Sequence, residues 1–182
     1  VLGPGGRSDG AQLPAGERGR EQVRRVSAAL LAAGADDVGV IDLARESMAN
    51  FKEDLLYVMP EARTVLVMAF RLNQTSLRSA AHSVADIEFR YAWTQANETA
   101  RQIVRRLRAT GIEAVNMPAG FPYEANRWPG KIWFTFDKMF AAEAGLGHMV
   151  WNRLLLHPRF CASLFLGTVL LNEESDQYYG PL

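Results

Sequence analysis

Few residues in this 182-residue sequence are placed to do chemistry on their own. Its three histidines, His82, His148 and His157, lie far apart, with no i,i+4 pair and no H-E-x-x-H, so no local metal-ligand cluster is expected. The one cysteine, Cys161, stands among Phe160, Ala162, Leu164 and Phe165. That apolar setting predicts a buried, inert thiol in preference to a nucleophile or a metal ligand. A single cysteine also excludes an intrachain disulfide and any iron–sulfur cluster held by this chain alone, which needs about four thiolates. There is no Walker loop and no G-x-S-x-G, and Gly145-Leu146-Gly147 lacks the third glycine of the dinucleotide fingerprint.

The stretch over residues 138–171, KMFAAEAGLGHMVWNRLLLHPRFCASLFLGTVLL, is the most suggestive. Small residues Ala141, Ala142 and Ala144 lead into the Gly-Leu-Gly turn, where backbone without side chains can come close to a flat ligand. Asn152 and Arg153 follow as polar donors, then Leu154, Leu155 and Leu156, then the rigid His157-Pro158 step. The same pattern also suits a tight helix–loop–strand connection inside a core.

The elements that would position these residues follow from periodicity. Residues 1–16 form a Gly/Pro-rich arm or a remnant of processing, and 17–182 form one domain. Val23, Val26, Ala29, Leu30 and Ala33 share a helical face over 17–33, with Gly34 at the C-cap position. Residues 37–43 read as a strand and 44–58 as a helix stopped by Met59-Pro60. The continuous apolar run 64–70 reads as a strand buried on both faces. A long helix spans about 77–109, with Val84, Ile87, Tyr91, Ala96, Ala100, Ile103 and Leu107 on its apolar face and Gly111 at its end. Its arginines 101, 105, 106 and 108 form a solvated end favoured by the macrodipole. Strands are expected at 112–117 and 164–171, a short helix at 137–144, and a long aromatic, proline-rich loop at 118–135. This order makes an α/β (α+β) layered domain.

The chain is 48% hydrophobic and 22% charged, an ordinary globular composition. Its zero formal net charge gives no bulk attraction to nucleic acid or anionic membrane. No apolar run is long enough to cross a bilayer and no signal pattern opens the chain, so the expected location is cytoplasmic.

Residues 138–160 resemble the core signature of the corrinoid-dependent reductases, the reductive dehalogenases and epoxyqueuosine reductases. The pattern is roughly K-x-x-A-x-x-A-G-L-G-x-x-G-x-N-x-L-L-x-x-P-x-F-G. Lys138, Ala141, Ala144, Gly145, Leu146, Gly147, Asn152, Leu154, Leu155, Pro158 and Phe160 match it. Residues 34–41 resemble the family's first strand and 59–69 its second, so the match is collinear over 20–182.

The resemblance implies a nitroreductase-like fold that binds cobalamin, with Ala144, Gly145, Leu146, Gly147, Asn152, Leu154, His157, Pro158 and Phe160 against the corrin. It implies a small organic substrate, a halogenated one included, reduced at cobalt. An iron–sulfur donor domain or protein would feed in electrons, and a homodimer is compatible. Tyr123 is the first candidate for proton donor, and Lys131 and Arg153 are candidate cations beside a developing anion. Four departures from the pattern stand out. Val150 and Cys161 replace glycines, and Lys131 falls where the epoxyqueuosine reductases carry their proton-donating aspartate. The cysteine-rich segment is expected just after Leu182, where the sequence given stops. Asp137 is expected in the first turn of its helix, facing the dipole. Two other readings stay open: a corrinoid-binding or trafficking module without turnover, and an FMN-binding nitroreductase relative.

Overall fold

The computed structural model describes residues 15–120, 137–175 and 178–182, with side chains from residue 24 onward. Helix α1 (Ala15–Ala32) leads through Gly34, in the left-handed region at φ 107°, into β1 (Asp37–Asp42). A 3-10 turn (Glu46–Met48) and α2 (Ala49–Val58) cross to β2 (Thr64–Arg71). Then come α3 (Gln74–Leu77), α4 (His82–Ala109) and β3 (Ala114–Asn116). Helix α5 (Asp137–Glu143), a hairpin of β4 (His148–Met149) and β5 (Leu155–Leu156), and β6 (Leu164–Leu171) complete the order.

The sheet runs β1-β2-β6-β3 with every pair antiparallel. Strand β2 is central and buried on both faces, as its unbroken apolar run predicts, and pairs with β6 from Thr64↔Leu171 to Arg71↔Leu164. The period of two along a strand sends its side chains to opposite layers. Val65, Val67 and Ala69 pack with Leu55 of α2 and with Phe140, Ala141 and Leu146 at α5. Leu66, Met68 and Phe70 pack with Leu30 of α1 and with Ala96, Ala100 and Ile103 of α4. Each large aliphatic side chain buried this way contributes about 1.5–3 kcal/mol. The layered α/β reading therefore holds.

Two local expectations are corrected. The helix expected over 77–109 is broken at 78–81, and α3 starts separately behind Asn73, whose Oδ1 accepts from Thr75 N–H at 2.9 Å. Helix α4 buries its apolar face only from Ala92 onward, and Val84, Ile87 and Tyr91 of the expected stripe are exposed. Cys161 is exposed instead of buried. It sits at φ 52° in a turn where His157 and Phe160 take the inward places, which directs the thiol out.

Among the described residues no helix is long and apolar enough to cross a membrane.

Candidate functional site

The signature divides into a part turned into the fold and a part turned out of it. Helix α5 ends by handing Gly145 N–H to Ala142 and Leu146 N–H to Ala141, which drops Leu146 into the core beside β2. Gly145 has φ 72°, and a Cβ there would lie 2.5 Å from the Gly180 carbonyl oxygen. A Cβ on Gly147 would lie 2.5 Å from the Leu156 carbonyl oxygen. Ala144 in turn abuts Gly39 of β1, where an added Cβ would stand 2.5 Å from the alanine methyl. The close approach that the glycines allow is thus taken by the protein's own backbone. Ala144, Leu146 and Gly147 are buried and Gly145 is half-buried.

The hairpin that follows has the opposite character. Val150 N–H donates to Leu154 O and Arg153 N–H to Val150 O, while Asn152 Oδ1 accepts from Leu154 N–H. These bonds hold Arg153 at φ 61°. Lys138 Nζ donates to the Arg153 carbonyl, pinning the hairpin tip to the start of α5. Asn152, Arg153, Leu154 and Pro158 are exposed, and Trp151 projects with 95% of its surface in solvent. Leu156 and Met139 add to this exposed apolar surface.

Behind the hairpin, His157 and Cys161 exchange backbone hydrogen bonds and close a tight turn. The His157 ring is buried, 3% exposed, and stacks on Phe160 with centroids 4.2 Å apart. Its Nδ1 accepts from Arg159 N–H, which leaves Nε2 to donate to Asp37 Oδ2 at 3.1 Å. The Arg159 guanidinium also donates to Asp37 Oδ2, at 2.7 Å, and lies over the Phe160 ring. With both nitrogens engaged, His157 fixes β1 against the turn and offers no lone pair to a ligand.

Asp137 stands in the first turn of α5, as its sequence position predicts, but its side chain turns inward. Thr168 Oγ1 donates to Asp137 Oδ1 at 2.6 Å. Burial pushes its pKa from 3.8 up to about 6, against the opposing pull of that hydrogen bond.

Of the three candidate catalytic residues only Arg153 is among the described ones; Tyr123 and Lys131 lie outside them. Asn152, Arg153, Leu154 and Pro158 come together on one surface, with His157 and Phe160 beneath it. Sequence reasoning missed Asp37 and Arg159. The only signal was an acidic pair, Asp36-Asp37, opening a strand. Among the described residues no three His, Cys, Asp or Glu side chains are grouped to hold a metal.

A corrin is a broad ring with apolar faces and amide edges, so a surface that holds one needs exposed apolar area and unengaged polar side chains. Trp151, Leu154 and Leu156 offer apolar area, and Asn152 keeps its side-chain N–H groups for a ligand. The exposed half of the signature fits the group, with the buried half supporting it from behind.

No protein-family model matches the chain, and no curated protein matches it by sequence. Solved structures do match. An epoxyqueuosine reductase bound to an epoxyqueuosine-modified tRNA-Tyr stem loop has a TM-score of 0.60 and 14% identity, over 89% of this chain and 48% of that one. The catabolic reductive dehalogenase NpRdhA has a TM-score of 0.63 and 17% identity, over 95% of this chain and 22% of that one. A reductive dehalogenase solved for the mechanism of B12-dependent dehalogenation has a TM-score of 0.61 and 17% identity, over 90% and 21%. The chain therefore spans about half the length of the first relative and about a fifth of the other two. It has the α/β fold that these reductases share.

Proposed function

We propose that this chain is the cofactor-holding part of a corrinoid-dependent reductase that acts on a small organic substrate. The observation that carries this reading is the exposed Asn152–Pro158 surface, formed by the signature residues of a fold shared with B12-dependent dehalogenases. Cobalamin, when bound, would supply a reducible cobalt centre able to pass electrons to a substrate. The chain's own residues do the rest. Asn152 holds an amide edge, Trp151, Leu154 and Leu156 cover a ring face and exclude water, and Pro158 stiffens the rim. Ala144, Gly145, Leu146 and Gly147 hold that surface from below, together with His157 and Phe160. Arg153 offsets a developing anion such as a departing halide, Lys131 adds a second cation, and Tyr123 donates a proton. Electrons come from an iron–sulfur domain or partner, because one cysteine cannot hold such a cluster.

A small substrate is favoured over tRNA by the zero net charge and by Lys131 in the register of the epoxyqueuosine reductases' aspartate. Reconstitution with hydroxocobalamin, followed by gel filtration and a visible spectrum, tests the cofactor. The expected result is a retained corrinoid band that Asn152→Ala weakens. A retained FMN band with no corrinoid would sink the proposal in favour of a flavin enzyme. Halide release from a halogenated phenol under chemical reduction separates turnover from simple corrinoid carriage.

A further inference from the structure

Helix α4 packs on the face of the sheet opposite α5, with α1 beside it. Where α1 ends, a groove of ≈ 360 Å³ runs between Ala33 and the α4 residues Tyr91, Gln95, Glu98, Thr99 and Gln102. That volume lies within the range of small-ligand sites, about 300–1,000 Å³. Gln95 Nε2 donates to the Gly34 carbonyl at 3.1 Å and fixes the end of α1 there. Gln95, Glu98, Thr99 and Gln102 stand at i, i+3, i+4 and i+7 of one continuous helix. Their side chains therefore share one face, with neighbouring Cβ atoms roughly 5–6 Å apart.

Among the described residues this groove is rich in acceptors, and no basic side chain lines it. Glu98 brings a carboxylate that pairs with no cation among the described residues. Gln95 keeps Oε1 for a ligand, because its Nε2 is turned to Gly34, and Gln102 brings a second amide oxygen. Thr99 lines the groove while only 5% exposed, and among the described residues its hydroxyl has no hydrogen-bond partner. A buried hydroxyl without a partner destabilises the fold, and a donor entering the groove relieves that. Helix α1 adds a field of the same sign. Its C-terminal end carries the negative pole of the helix dipole, and its last turn holds no basic residue to offset it. A positively charged ligand with N–H donors satisfies all of these groups at once, whereas an anion meets Glu98 and the helix end. The Tyr91 ring, 68% exposed at the groove, is available to cover the ligand's carbon atoms.

We propose that this groove binds a small primary alkylammonium compound, with the ammonium among Gln95, Glu98 and Thr99 and the carbon chain against Tyr91. The inference is independent of the corrinoid reading, since the groove and the hairpin lie on opposite faces of the sheet.

The test is titration of the full chain with butylammonium chloride at low ionic strength, followed by amide NMR, with 1-butanol and tetramethylammonium chloride as controls. Butylammonium is expected to shift the amides of residues 91–102 saturably. The controls are expected to bind at least about tenfold more weakly, as loss of the charge or of the N–H donors requires. Glu98→Gln keeps the shape of the side chain and is expected to weaken butylammonium by at least about tenfold. Thr99→Val exchanges the hydroxyl for a methyl group. It is expected to weaken butylammonium and to raise the melting temperature of the ligand-free chain, because the buried hydroxyl has no partner to lose. No saturable shift by about 10 mM butylammonium, a weak limit for any specific site, overturns the proposal. Equal affinity for either control overturns it as well, and so does unchanged affinity in Glu98→Gln. A lower melting temperature in Thr99→Val also overturns it, since the hydroxyl is then bonded within the fold and not held for a ligand. Glu98 is exposed, and the amide spectrum of each variant reports directly whether it is folded.

Discussion

The Gly-Leu-Gly turn and the hairpin after it are neighbours in sequence and opposite in use of space. In the turn, Gly145 and Gly147 leave room that Gly180 and Leu156 fill with backbone. In the hairpin, Trp151, Asn152, Arg153 and Leu154 project into solvent. A glycine-rich signature can serve the packing of the chain against itself. Here its glycines let two chain segments meet, and that contact presents the hairpin. The difference predicts that variants in the turn change stability first, and that variants in the hairpin change binding first.

The largest effect belongs to Gly147→Ala. Its Cβ would meet the Leu156 carbonyl, a backbone atom that cannot swing away. Overpacking of this kind costs about 1–3 kcal/mol, and displacement of β5 places this case at the upper end. Urea unfolding should show the loss with or without cobalamin. A stable Gly147→Ala protein that has lost only cobalamin affinity would break the comparison by putting the ligand in the turn.

Next is Asp37→Ala. It leaves the buried Nε2–H of His157 without an acceptor, which costs about 1–3 kcal/mol, and it frees Arg159. Unfolding midpoints measure that loss, and His157→Phe in the same background should recover part of it. No loss in Asp37→Ala would mean that the turn stands without β1.

The fold was legible in the sequence where periodicity is long. The runs at 64–70 and 164–171 have one reading, and Gly34 and Gly111 mark helix ends by their positive φ. It was less legible where a few residues decide. No Gly or Pro marks the break at 78–81, and Val84, Ile87 and Tyr91 continue a helical stripe past the edge of the core. Strands of two residues, as in β4 and β5, have no period to read. The Asp37–His157 contact joins residues 120 apart. Cys161 was misplaced because apolar neighbours in sequence say nothing of direction in a tight turn, where Phe160 points in and Cys161 points out.

Asp137 sharpens the comparison from the helix that feeds the turn. Its folded pKa, about 6, lies above the usual 3.8, so the fold favours the protonated form. Its contribution is full below pH 4 and is lost as pH rises through about 6. Asp137→Asn keeps an acceptor for Thr168 and removes the buried charge. The variant should match the wild type near pH 4 and exceed it at pH 8 by about 1–2 kcal/mol, partial solvent access holding it below the full linkage value. Chemical denaturation at the two pH values checks this, and a gap that does not widen with pH counts against a buried charge.

Cys161→Gly should stabilise by about 1 kcal/mol, since φ 52° strains any residue with a Cβ and the exposed thiol contributes no packing. A thermal melt suffices to see it, and a destabilised variant would mean that the thiol has a partner.

The smallest expected change in stability is that of Trp151→Ala. A side chain 95% exposed has little to lose on truncation, so the unfolding midpoint should move by less than about 0.5 kcal/mol. A large aromatic side chain exposed at the tip of a pinned hairpin is free to cover a flat ligand, and the proposed occupant is the corrin face. Cobalamin affinity should therefore fall about tenfold, in line with loss of one large aromatic contact. Gly147→Ala and Trp151→Ala then form a crossed pair, one moving stability and the other moving binding. If Trp151→Ala leaves cobalamin affinity unchanged while Asn152→Ala lowers it, the ring is held by its amide edge and not over the indole. If neither changes it, the exposed hairpin is not the cofactor face, and the buried turn would have to open to bind.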